Sequence, residues 1–178
     1  MRDFLIRDAV AKDVKPVAEL HVAAWRLAYE PILAQEHLDW VSVQREVRRK
    51  RALLKDRTPF LVAEKAGEAV GFLVYGDESD DVTGAVTAKS IDSFWVHQNL
   101  TRQGIGQKLL QEVIRRESPS RIYVWVLTGV EAGPAFYEKN GFRPEEKTRQ
   151  DFVFLGHRMP MVRYCKRVQT GTKSRKKK

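Results

Sequence analysis

The chain has 178 residues, a formal net charge of +9, 43% hydrophobic residues and an aromatic set of four Trp, eight Phe and five Tyr, which excludes a disordered chain and suits one domain with its own core. No run of 18 apolar residues marks a membrane span, and the first residues lack a secretory hydrophobic stretch. The single Cys165 excludes an internal disulfide, and neither it nor the scattered His21, His37, His97 and His157 has zinc-ligand spacing, so no metal is expected and the protein is read as soluble and cytoplasmic.

Residues 4–9 predict a first strand. Asp13 can cap a helix over residues 14–29, with Val14, Val17, Leu20, Ala24 and Leu27 near one stripe, and Pro31 breaks it. A second helical stretch covers residues 34–55, and its basic face over 44–51 reads as solvated. Residues 59–64 and 69–75 flank Lys65-Ala66-Gly67-Glu68, a strong hairpin signal. An acidic loop over 77–81 precedes a strand over 89–97. A polar turn ending in Gly104-Ile105-Gly106 then opens a helix through about residue 116. A strand over 121–127 and a short helix over 135–139 follow, and Asn140-Gly141 closes that helix. Residues 148–155 and 158–164 surround Gly156-His157 as a last hairpin. The order is strand, two helices, three strands, helix, strand, helix, two strands, a mixed α/β arrangement without repeat or linker. One domain spans residues 1–165. Seven of the nine excess positive charges lie in residues 166–178, a basic tail expected to be disordered. Such a tail touches nucleic acid non-specifically, if at all, and its plainer reading is a solvated end.

The turn at Gly104-Ile105-Gly106 has particular chemistry. Glycine lacks a Cβ, and the first N–H groups of the next helix point into the turn with the helix dipole behind them. That is an anion site suited to a phosphate or pyrophosphate. A triphosphate-binding loop is excluded because Gln107 separates Gly106 from Lys108, and a dinucleotide fingerprint because position 109 is Leu. Thr101, Arg102, Gln103, Gly104, Ile105 and Gly106, followed by Gln107, resemble the Arg/Gln-x-x-Gly-x-Gly/Ala signature of GNAT-type N-acetyltransferases. Downstream, Phe136-Tyr137 and Gly141-Phe142 resemble the family's Phe-Tyr-x-x-x-Gly-Phe segment. The two motifs stand in the family's order on either side of the strand over 121–127.

The resemblance implies a GNAT fold over about residues 4–164: a central, mostly antiparallel sheet of about seven strands, flanked by about four helices, with the fourth and fifth strands splayed. It implies acetyl-CoA as co-substrate, its pyrophosphate at residues 101–107 and its pantetheine arm paired with the backbone of Phe94, Trp95 and Val96. It implies direct transfer of the acetyl group to a primary amine. Tyr137 would be the general acid to the CoA thiolate, and a backbone N–H at Val96 or a neighbour would hold the oxyanion. Alternation puts Ser90, Asp92, Phe94 and Val96 on one strand face, and Asp92, the acid of that segment, is the candidate base. Trp25 and Tyr29, with Trp40, are candidates to line the acceptor cleft, a role to be weighed against plain core packing. The chain departs from the family pattern at Thr101, Val130 and Gly133. A non-catalytic acyl-CoA-binding module is therefore the alternative. The acceptor stays open between a small molecule and a peptide, and the oligomeric state between monomer and homodimer.

Overall fold

The computed structural model describes residues 4–79, 87–130 and 132–168. Strand β1 (Leu5–Asp8) leads through a 3-10 turn into α1 (Val14–Tyr29), followed by α2 (Gln35–Trp40) and α3 (Val43–Lys55). Strands β2 (Phe60–Lys65), β3 (Glu68–Glu78) and β4 (Ala88–Val96) precede α4 (Ile105–Glu117), and then come β5 (Arg121–Leu127) and α5 (Ala132–Lys139). The two-residue β6 (Arg143–Pro144), β7 (Gln150–Phe154) and β8 (His157–Arg167) complete the sheet. Its order is β1-β2-β3-β4-β5-β8-β6, with β7 also on β8. Every pair is antiparallel except β4 with β5.

The mixed α/β architecture is the expected one, with differences that have local causes. The helix expected over 34–55 is two helices, because Val41 and Ser42 are extended and the Ser42 hydroxyl accepts from the Arg45 N–H at 3.4 Å to start α3. Asp13 does not cap α1 with its side chain. Its carboxylate accepts from the Val10 N–H at 2.8 Å and takes the fork of Arg7 at 2.7 and 2.8 Å, tying β1 to the turn. Both hairpins close on left-handed residue pairs, Ala66-Gly67 and Leu155-Gly156, as two-residue turns require. Of the expected acidic loop, Asp77 and Glu78 belong to β3, while residues 80–86 lie outside the described residues. Lys166 and Arg167, expected in the tail, belong to β8, and Lys166 Nζ donates to the Asn140 carbonyl at 2.7 Å. The tail from residue 169 lies outside the described residues.

The sheet has two apolar faces. One packs Leu73, Tyr75 and Ile91 on Ile105, Leu109 and Val113 of α4. The other packs Phe60, Val62, Phe72 and Val74 on Val17 and Leu20 of α1 and on Leu53 and Leu54 of α3. Each such burial contributes about 1.5–3 kcal/mol, so the sheet is held rigidly from both sides. No helix among the described residues is long and apolar enough to cross a membrane.

Candidate active site

Strands β4 and β5 pair only from Ala88↔Arg121 to Ile91↔Val124 and then part. The parting begins at a β-bulge. Across β3, Val74 faces Ser93 while Tyr75 faces Ile91, which leaves Asp92 as the extra residue. Beyond it, residues 92–96 keep β3 on one edge and have no strand on the other. The His97 N–H donates to the Val70 carbonyl across β3, so alternation turns the N–H groups of Phe94 and Val96 to the open edge. The split opens into a cleft of about 540 Å³.

The bulge also changes which side chains share a face. Ser90 and Asp92 do stand together, the hydroxyl donating to the carboxylate at 3.4 Å. Phe94 and Val96, expected beside them, turn with Ile91 to the α4 face, and Trp95 turns to the α1 face. The extra residue shifts the alternation by one. Burial pushes the Asp92 carboxyl above the usual carboxylate range, against the opposing Ser90 hydrogen bond and the charge of Arg49.

On the α4–α5 side, the cleft is lined by Phe94 and Tyr137 and backed by further aromatic rings. Phe94 meets Phe136 edge-on at 5.3 Å, Phe136 meets Tyr137 at 5.3 Å, and Tyr137 meets Phe142 at 5.3 Å. Offset edge-to-face rings of this kind fix one another's orientation. Tyr137 lines the cleft while its ring is buried. Burial, with the Tyr29 phenol adding, raises its hydroxyl above the ordinary phenol range, so it stays protonated at neutral pH. Val130 and Gly133, two of the three departures from the family pattern, line the same cleft.

Above this wall sits the glycine turn, and its two glycines serve different ends. Gly104 takes φ +86° at the start of α4, where a side chain is strained. Gly106 instead makes room for protein: a Cβ there would stand 3.0 Å from the Phe136 ring and 3.3 Å from Phe94. The same glycine that thins the turn thus locks it onto the aromatic wall. Thr101 is exposed and spends its hydroxyl on the Gln98 carbonyl at 3.0 Å, while Arg102, in the left-handed region, Gln103 and Gln107 are exposed around the turn. The first intrahelical amide is that of Lys108, donating to Gly104, so the amides of residues 105–107 project from the helix end.

The opposite wall comes from α1, with Phe152 and Met161 of the last hairpin at its rim. Trp25 and Tyr29 line the cleft and also pack, Trp25 on Tyr29 at 5.1 Å and on Phe154 at 5.7 Å, Tyr29 edge-on to Trp95 at 6.3 Å. Burial pushes the Tyr29 phenol up to about 12. Trp40 does not line the cleft; it meets Phe154 edge-on at 5.2 Å and lies under Arg45.

Beneath this wall lies a cluster that the sequence did not reveal. His21 Nδ1 is 2.7 Å from Glu46 Oε2, and Lys50 Nζ is 3.2 Å from the same oxygen. The face of α3 read as solvated therefore buries two charges, with Lys50 wholly inside at 0% exposure. Its only trace in the sequence is the i,i+4 spacing of Glu46 and Lys50. His21 lines the cleft and stacks on Trp95 at 5.6 Å. No cluster of three His, Cys, Asp or Glu able to hold a metal occurs among the described residues.

The acetyltransferase (GNAT) domain family matches residues 56–144, half of the chain, from the start of β2 through β6. Over 164 residues the chain is 26% identical to the uncharacterized N-acetyltransferase YuaI of Bacillus subtilis, covering 88% of this chain and 89% of that one. Among solved structures it is similar to the PaiA N-acetyltransferase of Thermoplasma acidophilum in complex with coenzyme A, with TM-score 0.68, 18% identity and coverage of 93% and 99% of the two chains. It is also similar to a ribosomal-protein-alanine N-acetyltransferase from Brucella melitensis, with TM-score 0.67, 24% identity and coverage of 92% and 99%. Both likenesses show the fold. The chain belongs to the GNAT acetyltransferase family and is an acyltransferase.

Proposed function

We propose that this chain moves the acetyl group of acetyl-CoA directly to a primary amine, with Tyr137 as the general acid. The observation that carries the reading is the open edge of β4 at residues 92–96, ending in the Gly104 turn and facing Tyr137 across a cleft. An extended pantetheine arm can pair with the N–H groups of Phe94 and Val96 as a strand would. The amides of residues 105–107 and the exposed Arg102 suit the pyrophosphate. The coenzyme A complex of the structural neighbour supports the same ligand.

Transfer breaks the thioester C–S bond and forms a C–N bond. The oxyanion that develops needs a fixed N–H donor, which the open edge supplies at Val96 or Phe94. The departing thiolate takes the Tyr137 proton, and a phenol kept protonated by burial is suited to give it. Attack comes from the opposite wall, where the bulge carries Asp92. Its carboxylate draws in the ammonium form of the acceptor, and the amine's proton leaves toward it, directly or through water. Trp25 and Tyr29 orient the acceptor's apolar part.

The acceptor is a small-molecule or peptide amine. The name of the Brucella neighbour, a ribosomal-protein-alanine acetyltransferase, keeps a peptide among the choices. The cytoplasm, where acetyl-CoA and free amines meet, is its proposed location. A screen of amines, amino acids, polyamines and peptides for CoA release tests the reading. At least one primary amine is expected to release CoA. Tight CoA binding without release from any acceptor would favour a binding module instead.

A further inference from the structure

The cluster under the acceptor wall has the geometry of a base held by a carboxylate. One ring nitrogen of His21 faces Glu46 at 2.7 Å and Lys50 at 3.3 Å. A single N–H cannot donate to the carboxylate and also accept from the ammonium. The short contact to Glu46 therefore assigns the proton to Nδ1, and Lys50 spends its donor on Glu46 at 3.2 Å. The ring packs against Trp95 and Phe72, each at 5.6 Å, and Lys50 Nζ lies over the Phe72 ring at 4.7 Å. No other described residue hydrogen-bonds the ring, so Nε2 carries the free lone pair, and His21 lines the cleft alongside Asp92, Tyr29 and Trp95.

We propose that His21, oriented by Glu46 through Nδ1–H, is the terminal proton acceptor of the acetyl transfer, taking at Nε2 the proton that leaves the attacking amine by way of Asp92 or a cleft water. The inference rests on the acetyl-transfer reading above. The balance is simple: the amine N–H bond breaks, an N–H bond forms at Nε2, and the imidazolium is held by Glu46 until it loses the proton to solvent. Asp92, whose carboxylate meets the acceptor's ammonium, is the relay, and the imidazole beside it in the cleft is the acceptor. A tautomer fixed by a carboxylate is how such rings are kept ready.

The charged and titratable groups around the ring are Glu46, Arg49 and Lys50 from α3, Asp92 from β4 and Tyr29 from α1. Burial lowers His21 affinity for a proton, Lys50 and Arg49 lower it further, and Glu46 raises it. The neutral ring is therefore the resting state at neutral pH.

The test uses the full chain with acetyl-CoA and the acceptor found by the screen. His21→Gln is expected to lower kcat/KM by about 100-fold or more while acetyl-CoA Kd stays put. Lys50→Met, close in volume, removes a cation that disfavours protonation and moves the acid limb of the pH–rate profile to higher pH. Glu46→Gln moves that limb to lower pH, with folding checked by acetyl-CoA binding. Opposite movements are expected only of a titrating His21. A limb that stays in place in both variants overturns the proposal. Nitrogen-15 NMR of the ring gives a second readout that needs no turnover: Nδ1–H with bare Nε2 is expected at neutral pH, and the other tautomer overturns the proposal. Absence of CoA release from wild type, with the expected tautomer present, would fault the acetyl-transfer reading instead.

Discussion

The two walls of the cleft are built on different principles. The α4–α5 wall is rings on glycine: Phe94, Phe136, Tyr137 and Phe142 interlock, and Gly106 closes against them. The α1–α3 wall is charge under aromatics: His21, Glu46 and Lys50 lie buried beneath Trp95 and Phe72. The first is suited to grip one invariant cofactor, because apolar packing sets geometry and needs no proton bookkeeping. The second is suited to receive a cation and handle its proton, because only titratable groups can. On the proposed reading, the acid Tyr137 and the proton acceptor His21 stand on opposite walls of the cleft.

Substitutions on each wall should fail differently. The largest effect is expected of Tyr137→Phe, which keeps the ring packing and removes the proton: kcat falls by about 100-fold or more, read in a CoA-release assay. Asp92→Asn removes the carboxylate proposed to meet the ammonium, and we expect a 10- to 100-fold fall in kcat/KM with unchanged acetyl-CoA Kd. On the cofactor wall, Gly106→Val drives a side chain into Phe136 and should cost about 1–3 kcal/mol of stability, read as a lower Tm together with weaker CoA binding. Gly104→Ala forces a Cβ into the left-handed region at a cost of about 1 kcal/mol, with Tm falling by a few degrees.

A pH prediction separates the buried charges from the rest of the fold. Burial, partly offset by Glu46, brings the Lys50 ammonium down to about 8, below its ordinary 10.5. Between those pH values the unfolded chain binds the proton that the folded chain has lost, so this group makes stability rise with pH there. The destabilisation it causes is fully present below pH 8. Lys50→Met should therefore gain most over wild type at neutral pH, and the gain should shrink toward pH 10 in urea titrations. An advantage that does not change with pH would mean that Lys50 binds its proton equally well in the folded and the unfolded chain.

The cofactor wall was the legible one. Gly104, Gly106, Phe136 and Tyr137 are close in sequence to the elements they punctuate, so spacing alone placed them at a strand-to-helix turn and a helix end. Strand β5 and the two hairpin turns came out within a residue for the same reason, since alternation and turn residues are local signals, while β3 and β8 run three residues past their expected ends. The acceptor wall was not legible, because its cluster joins His21 to α3 across 25 residues through packing alone. Lys50 looked solvated since it sits in a run of Arg and Lys, and nothing local says which member of the run points inward. The bulge at Asp92 was hidden likewise. It is a two-strand property, set by how β4 registers on β3, and it turned Phe94 and Val96 away from the face that simple alternation gave them. Gly106, singled out as room for a ligand, also makes room for the Phe136 ring.

The most direct test measures acetyl-CoA Kd and amine-dependent CoA release side by side for wild type and Tyr137→Phe. The account predicts equal Kd values, release by wild type with a primary amine, and release slower by about 100-fold in the variant. Equal turnover in the two proteins, or tight binding by wild type with no release to any amine, would contradict it.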